Sequence, residues 1–337
     1  MIMVFGSIHM TVTVDAPRLP RPGEVLGGAN RHVRSGGRGA DLALAVRRFG
    51  VPTQLVGAVG DDDFADVALD RLRLAGVDIR RVRHLSGQAT GLACVTAVAG
   101  SPSAEVVAPG ANAALRAHWV SDDELAACRS LLTHGEVPIA QCLALASRAR
   151  QAGCRTLLHA SPWAHGSQPP RGIFDWVVID TPSLRRACAE LHIAAETMEA
   201  GDALCRLAAT LHARALLYRA EAGVIVADPQ GGCRRRAGFV PSRAYAAAAF
   251  EVFTGVFAAG LNQGLAEASA IDHAAVAAAL TGPPAALPSS TGATWGAAAA
   301  VAPVACAEQP SRSAMEDALL NRQHGGGPPA LHQRTAV

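Results

Sequence analysis

Apolar and polar positions alternate along this chain on the scale of single strands and helices. Short runs of apolar and β-branched residues, typical of buried strands, are followed by longer segments with a helical repeat. From residue 131 to residue 227 this alternation is continuous, and it predicts a parallel sheet with helices on both faces. The sequence therefore indicates an α/β protein.

The patterns place most elements within a few residues. Strands are predicted at residues 1–5, 11–14, 53–57, 90–99, 104–107, 131–133, 156–159, 176–180, 215–217 and 224–227. Helices are predicted at residues 40–49, 62–75, 139–152, 183–191, 198–211, 244–265, 272–280 and 313–322. A stretch rich in Pro, Gly and Ser, residues 281–294, interrupts the pattern after the helix at 272–280.

The most apolar segment, residues 244–265, contains one ionisable side chain, Glu251. We expect a buried helix that begins near residue 243 or 244, with Ser242 as its N-cap. The segment is long enough for a bilayer, but Glu251 near its middle and Asn262 near its end argue against membrane insertion. Glu251 is expected to reach a cavity, to pair with a cation, or to lie at a solvated helix edge, which is the default interpretation.

Composition narrows the class of protein. With 337 residues, 50% hydrophobic and 17% charged, the chain can bury a large core in one or two domains. The net charge of +2 does not predict nucleic-acid binding. Eight cysteines without a C-x-x-C motif predict free thiols, and no metal site is indicated. The apolar N-terminus lacks a basic region, so we expect a first strand and a cytosolic protein.

Short motifs follow one another along the N-terminal half. They are GSI at 6–8, PRPGE at 20–24, GGRGAD at 36–41, VGDDDF at 59–64, AGVD at 75–78, TG at 90–91, PGAN at 109–112 and EVP at 136–138. In this order the motifs resemble those of the ribokinase family, also called the pfkB carbohydrate kinases. The resemblance extends to about residue 320. Taken alone, the glycine-rich turn at 36–41 is typical of a ligand-binding turn or of a tight structural turn.

The resemblance implies a fold and an activity. The fold is a ribokinase-like three-layer αβα core with a mostly parallel sheet, and a small β-sheet lid from about 11–34 and 91–107. Residues 1–324 would form this domain, and residues 325–337 a disordered tail. The implied activity is transfer of the γ-phosphate of Mg-ATP to a hydroxyl of a ribose-like sugar or a nucleoside. An exposed apolar face on so small a sheet favours homodimerisation through the lid.

The resemblance also assigns residues on the phosphate side. Glu251 aligns with the catalytic base, and the family's glycine-bearing, phosphate-binding turn falls on Ala248, Ala249 and Phe250. Because Phe250 would block the approach of a phosphate and alanines favour a helix, the anion hole is predicted to be lost. The family's N-x-x-E and T-L-G motifs are replaced at four further positions, namely Asp180, Ser183, Tyr218 and Ala220.

On the acceptor side, the resemblance implies substrate contacts from six residues: His9, Thr11, Gly37, Arg38, Asp41 and Glu136. Thr11 stands where the family has a carboxylate that binds two sugar hydroxyls. Arg38 and Asp41 replace lysine and asparagine, and they either bind a polyol or form a salt bridge with each other in an empty site. Glu136 keeps the acidic character of its position, although an acid at a strand end is also common on surfaces.

Three histidines follow predicted strands, namely His9, His134 and His159. They either line the cleft or face solvent, and the second case is the commoner one for a histidine at a strand end.

Two functions remain open from the sequence. The first is a divergent sugar or nucleoside kinase in which Glu251 is the base and other groups bind the phosphate. The second is a ribokinase-fold protein without phosphoryl transfer that binds a ligand or a partner. Because the replaced residues concentrate on the nucleotide and phosphate side, impaired or absent kinase activity is the favoured interpretation.

Overall fold

The computed structural model describes residues 1–99, 103–163, 170–194, 198–237, 246–281 and 310–323. The strands of this part are β1 (Ile2–Phe5), β2 (His9–Ala16), β3 (Arg31–Gly36), β4 (Thr53–Val59), β5 (Asp78–His84), β6 (Gly91–Val98), β7 (Ala104–Ala108), β8 (Ser130–His134), β9 (Arg155–His159), β10 (Trp176–Asp180), β11 (Arg214–Tyr218), β12 (Val224–Ala227) and β13 (Cys233–Arg236). Its α-helices are α1 (Arg38–Arg48), α2 (Phe64–Leu74), α3 (Asp122–Ala126), α4 (Ile139–Gln151), α5 (Thr181–Glu190), α6 (Ala200–Leu211), α7 (Ala246–Asn262), α8 (Glu267–Ala279) and α9 (Arg312–Gln323).

The larger sheet has nine strands in the order β13-β12-β11-β10-β9-β8-β1-β4-β5. Seven neighbouring strands, from β11 to β5, run parallel. At the other edge, β12 and β13 are antiparallel. The connection between β11 and β12 is too short for a parallel crossover, which needs a dozen or more residues, so the chain reverses there. The expectation of a mostly parallel sheet is confirmed.

The large sheet is buried on both faces. Along β1, Ile2 and Val4 join one hydrophobic cluster, and Met3 and Phe5 join a second one. Helices α1, α2, α7, α8 and α9 contribute to the first cluster, and α3, α4, α5 and α6 contribute to the second. Since successive strand residues point to opposite faces, helices cover both sides of the sheet. The predicted three-layer αβα fold is confirmed.

The second sheet is small, with four strands in the order β3-β2-β6-β7. Strand β2 pairs with β3 in an antiparallel arrangement and with β6 in a parallel one. The two segments expected near 11–34 and 91–107 therefore meet in one sheet. Strand β1 ends at Phe5, and β2 begins at His9 after the three residues Gly6-Ser7-Ile8. The small sheet therefore starts close to the end of β1.

Helix α7 is buried along most of its length, and Phe253, Val256 and Phe257 are fully enclosed. It packs against α1, where Gly255 leaves room because a Cβ atom there would lie 2.6 Å from the Ala45 Cβ. None of the described helices has both the length and the apolarity needed to cross a membrane. The prediction of a core helix is correct for the described part of this segment.

Some elements differ from the sequence prediction. Strand β13 was not predicted, because CRRR at 233–236 is charged and three of its four residues are exposed at a sheet edge. Helix α3 was also not predicted, since its one buried residue, Leu125, gives no apolar periodicity. Helix α8 begins five residues before its predicted start.

Four expectations fall outside the described residues. They are the N-cap at Ser242 with the helix start at 243–244, the inserted stretch after residue 281, the thiol of Cys306, and the tail at 325–337.

Candidate functional site

The candidate site lies at the ends of parallel strands of the large sheet. Arg38 is the first residue of α1, Glu136 follows β8, His159 ends β9, and Glu251 lies in α7. Ligands in open α/β sheets bind at this edge, outside the carboxyl ends of the strands. The fold therefore brings Arg38, Glu136 and Glu251, which are far apart in sequence, into one site.

The glycine-rich turn before α1 permits a very close backbone approach. A Cβ atom at Gly39 would lie 2.5 Å from the carbonyl carbon of Gly6, and Gly37 has φ 101°. A Cβ at Gly37 would also lie 2.6 Å from the backbone oxygen of Ser7. Only glycine fits such contacts without displacement. Here the turn packs the start of α1 onto the loop after β1 and places Arg38 in the site.

Arg38 bridges the two carboxylates of the site. Its Nε donates to Glu136 Oε1 at 2.8 Å, and its guanidinium also donates to Glu251 Oε1. Burial opposes the positive charge, but the carboxylates of Glu251 and Glu136 outweigh it and raise the pKa of the guanidinium. Glu136 is fixed further by the Ser7 hydroxyl, which donates to its Oε2 at 2.8 Å.

Glu251, the position of the family's base, is 2% exposed. Burial raises the pKa of a carboxyl group, but here the charge of Arg38 and the neighbouring His159 outweigh burial and lower the pKa to about 2. Of the three options expected from the sequence, pairing with a cation is therefore the one found. The default interpretation, a solvated helix edge, is wrong.

Asp41 forms salt bridges with Arg71 and Arg34, whereas Arg38 forms them with Glu136 and Glu251, so these pairs replace the alternative of a salt bridge between Arg38 and Asp41. The other alternative, polyol binding, stays a prediction. The Asp41 Oδ1 accepts from Arg71 at 2.8 Å and its Oδ2 lies 3.4 Å from Arg34. Arg38 instead pairs with the buried carboxylate of Glu251 and the partly buried one of Glu136. Asp41 thus belongs to a second ion-pair group beside the site.

The three strand-end histidines are buried, so the expectation that they face solvent is wrong. His134 Nε2 accepts the Ser7 N–H at 3.0 Å, and burial lowers the pKa of His134 to about 3, so that its ring is neutral. His159 Nδ1 lies 3.0 Å from the Thr254 hydroxyl, and its Nε2 lies 3.6 Å from Glu251 Oε1. His9 Nε2 lies 3.8 Å from Glu136 Oε2.

The segment expected to replace the phosphate-binding turn is helical. Ala248, Ala249 and Phe250 all lie within α7. The Phe250 ring is stacked on Tyr218, with ring centres 5.3 Å apart, and lies 4.3 Å from the ring of His159. The amides of Phe250 and Glu251 lie beyond the first turn, where they donate within the helix. Phe250 places a ring where a phosphate-binding turn has glycine, so these residues do not fit the glycine-bearing turn that Mg-ATP needs.

The other positions on the phosphate side have local structural contacts. Asp180 caps α5 by accepting the Ser183 N–H at 2.7 Å, and its second oxygen accepts from the Ser161 hydroxyl at 2.7 Å. Burial, together with the charge of Glu251, raises the pKa of Tyr218 to about 12. Ala220 has φ 44°, so the left-handed backbone that favours glycine is retained although the glycine is not.

Several buried polar atoms of the site residues have no hydrogen-bond partner among the described residues. They are His9 Nδ1, Thr11 Oγ1, His159 Nε2 and Glu251 Oε2. Unpaired buried polar atoms are costly, and hydroxyl groups of a ligand or water would satisfy them. In the described part of the chain, no group of three or more His, Cys, Asp or Glu side chains could hold a metal ion.

Sequence patterns alone missed two positioning residues. Ser7 orients Glu136, and Asn112 exchanges hydrogen bonds with the backbone of Ile8 at 2.9 and 2.7 Å. Ser7 belongs to the GSI motif and Asn112 to the PGAN motif. These two motifs are the sequence signal that could have identified the two residues.

The chain is similar to known proteins in sequence and in structure. The sequence profile of the pfkB family carbohydrate kinases matches residues 1–282. A ribokinase of Haemophilus influenzae is 28% identical over 163 residues, which cover 48% of this chain and 53% of that protein. A ribokinase of Bacillus subtilis is 33% identical over 111 residues, which cover 33% of this chain and 38% of that protein. The chain spans about half, or less, of the length of these curated relatives.

Solved structures share the fold over nearly the whole chain. The ribokinase of Thermotoga maritima has a TM-score of 0.79 at 20% identity, covering 95% of this chain and 99% of that one. The ribokinase of Arabidopsis thaliana complexed with ribose and ATP has a TM-score of 0.74 at 20% identity, and the match covers 94% of this chain and 97% of that one. A nucleoside kinase of Burkholderia thailandensis in complex with inosine has a TM-score of 0.71 at 16% identity, covering 99% and 100%.

Proposed function

The chain belongs to the pfkB family of carbohydrate kinases, and we propose that it binds a sugar or a nucleoside where Arg38 meets Glu136 and Glu251. We propose further that it transfers phosphate to this ligand slowly or not at all. The observation that carries the second part is the bridge from Arg38 to both carboxylates, beside a helical segment at 248–250.

Three features support binding of a hydroxylated ligand. The site contains ionised carboxylates, which accept hydrogen bonds from hydroxyl groups. The unpartnered atoms of His9, Thr11 and His159 can exchange hydrogen bonds with the same kind of group. Structures with this fold hold ribose in one case and inosine in another. A ligand with several hydroxyl groups would satisfy polar atoms that are otherwise buried without a partner.

The base function of Glu251 is weakened in three ways. A general base must lie within hydrogen-bond reach of the acceptor hydroxyl, and one oxygen of Glu251 is already engaged by Arg38. Base strength falls with the pKa, and the pKa of this carboxyl is lowered to about 2. Glutamate is also one methylene longer than the family's aspartate, and a misplacement of about 1 Å can cost about a hundredfold in rate.

Mg-ATP would supply the transferred phosphoryl group and the cation that neutralises its charge. The chain offers no glycine turn at 248–250 to bind it, and Phe250 fills space between Tyr218 and His159. We therefore derive no transfer step for this site.

A working kinase is the second candidate. Glu251 Oε2 is ionised, buried and without a partner among the described residues, so one oxygen is free to accept from a substrate hydroxyl. On this alternative, Arg38 would leave Glu251 when the acceptor binds, and other groups would bind the phosphate.

We also propose homodimerisation through the small sheet. Its edge strand β7 is exposed throughout, and Val106 and Val107 are 73% and 39% exposed. Light scattering at high micromolar concentration tests this, and a monomer would contradict it. A cytosolic location stays an expectation.

The binding proposal is tested by thermal-shift titration with ribose, fructose, adenosine and inosine, with and without Mg-ATP. A ligand at a hundred times its dissociation constant stabilises by about 2.7 kcal/mol, which is about 4 °C for a chain of this size. We expect such a shift with at least one acceptor, and a much smaller one in Glu136→Gln. Thr96→Val, on the small sheet, serves as the control. The absence of any shift at millimolar acceptor would contradict the proposal.

A further inference from the structure

Two cysteine side chains meet between helix α6 and the edge strand β13. Cys205 lies in α6 and is half-buried, and Cys233 begins β13 and is exposed. Neither residue belongs to the Arg38 site. Strand β13 is an edge strand of the large sheet among the described residues, and three of its four residues are exposed.

The geometry places the two sulfur atoms on the same helix face. Gly201 and Cys205 are four residues apart in α6 and therefore lie above one another. A Cβ atom at Gly201 would lie 3.4 Å from the Cys233 sulfur, so this sulfur rests against that face of the helix. The Cys205 sulfur lies 3.9 Å from the backbone oxygen of Gly231, next to the start of β13. Cys233 is also one of the groups that raise the pKa of Cys205, so the two thiols are neighbours.

We propose that Cys205 and Cys233 form a reversible disulfide when the protein meets a peroxide. In the first step the Cys233 sulfur attacks a peroxide oxygen, the O–O bond breaks, and a sulfenic acid and one water are formed. In the second step the Cys205 sulfur attacks the sulfenic sulfur, the S–S bond forms, and a second water leaves. Both thiol protons end in water, and hydrogen peroxide is the two-electron oxidant.

The order of the two steps follows from exposure. Cys233 is exposed and can be reached by peroxide, whereas Cys205 is covered by β13. Burial, and then the neighbouring Cys233, raises the pKa of Cys205 to about 11, which keeps it a thiol in the reduced protein. Cys205 therefore suits the second, resolving step better than the first.

A second pair of neighbouring cysteines shows the contrast. Cys128 and Cys154 are 6% and 3% exposed. Their thiols donate to backbone carbonyl oxygens, Cys128 to Ser130 and Cys154 to Leu125, each at 2.9 Å. Peroxide has no access to these buried thiols, so we expect no disulfide between Cys128 and Cys154.

A disulfide here would join the edge strand covalently to α6. It would close a loop of about 30 residues, and a loop of this size raises the melting temperature of a chain this long by about 5 °C. The Arg38 site shares no residue with this pair, so the effect is independent of sugar binding.

The test uses the full chain, first reduced and then treated with hydrogen peroxide. We expect a mass loss of about 2 Da, a peptide pair joined through Cys205 and Cys233 in a non-reducing digest, and a melting temperature about 5 °C higher. Dithiothreitol should reverse all three changes.

Single variants provide the controls, each compared with its own reduced form. Cys205→Ser and Cys233→Ser should lose the linked peptide and the thermal shift, and Cys205→Ser should trap a sulfenic acid at Cys233 that reacts with dimedone. Cys94→Ser, which removes another exposed thiol, should behave like the wild type. Absence of the linked peptide in the wild type, or a shift of equal size in Cys233→Ser, would overturn the proposal.

Discussion

The guanidinium of Arg38 donates a hydrogen bond to the carboxylate of Glu251, although 213 residues separate them in the chain. The same guanidinium donates to Glu136. One cation at the start of α1 therefore connects the loop after β8 with the centre of α7. Glu251, which stands at the position of the family's base, is therefore hydrogen-bonded to a residue of its own chain.

The first prediction concerns the energy of this bridge. Arg38→Ala leaves the buried carboxylate of Glu251 and the partly buried one of Glu136 without their shared cation, and removing one partner of a buried ion pair costs about 3 to 5 kcal/mol. Urea denaturation at pH 7 measures the loss in the free energy of unfolding. Arg47→Ala is the matched control on the same helix, and its one exposed hydrogen bond to Gly76 predicts a loss of about 1 kcal/mol. Equal losses in the two variants would mean that the bridge does not form.

The second prediction is a pH dependence. The pKa of Glu251 is lowered from 4.5 to about 2 in the folded protein. A carboxyl group with a lowered pKa stabilises the fold above its ordinary pKa, and this stabilisation is lost as the pH falls toward the folded value. By pH 3 about 2 kcal/mol of this contribution should be gone.

Denaturation of the wild type and of Glu251→Gln at pH 7, 5, 4 and 3 isolates this contribution. Below pH 4.5 the free energy of unfolding should fall more in the wild type than in the variant. The difference in this free energy between the two proteins should therefore narrow. Parallel losses in both proteins would show that Glu251 titrates normally.

The third prediction concerns Phe250, which packs on Tyr218 and His159. Phe250→Ala removes a buried ring that is 7% exposed, and such truncations cost about 3 to 5 kcal/mol. Phe64→Ala is the control, because Phe64 is 38% exposed and should cost less than about 1 kcal/mol. If Phe250→Ala were as mild as Phe64→Ala, the ring would not fill this space, and a phosphate could approach.

Much of the fold could be predicted from the sequence. Strands β10 and β12 begin and end where their continuous apolar runs do, because both faces of the sheet are buried there. The pairing of β2 with β6 came from the resemblance and not from periodicity. Strand β13 carries no apolar signal, because its arginines pair with acids such as Asp272 and Asp228 at an exposed edge.

The sequence predicts which residues belong to the site, but not how they pair with one another. Arg38 and Glu251 were both candidates, but polyol binding and a salt bridge between Arg38 and Asp41 stood as equal alternatives. The actual partners of Arg38 depend on how α7 packs against α1 and on where the loop after β8 lies, neither of which spacing reveals. The burial of His134 and His159 likewise depends on the helix above them.

Acceptor-dependent ADP release by the purified full chain with Mg-ATP tests the central claim most directly. Loss of one oxyanion donor costs about 3 to 4 kcal/mol, and a base misplaced by about 1 Å costs about a further hundredfold, so turnover should be at least about four orders of magnitude below an ordinary kinase. We predict no ADP above background with ribose, fructose, adenosine or inosine, and no change in Glu251→Gln. Acceptor-dependent ADP release that disappears in Glu251→Gln would contradict this account and establish a working kinase.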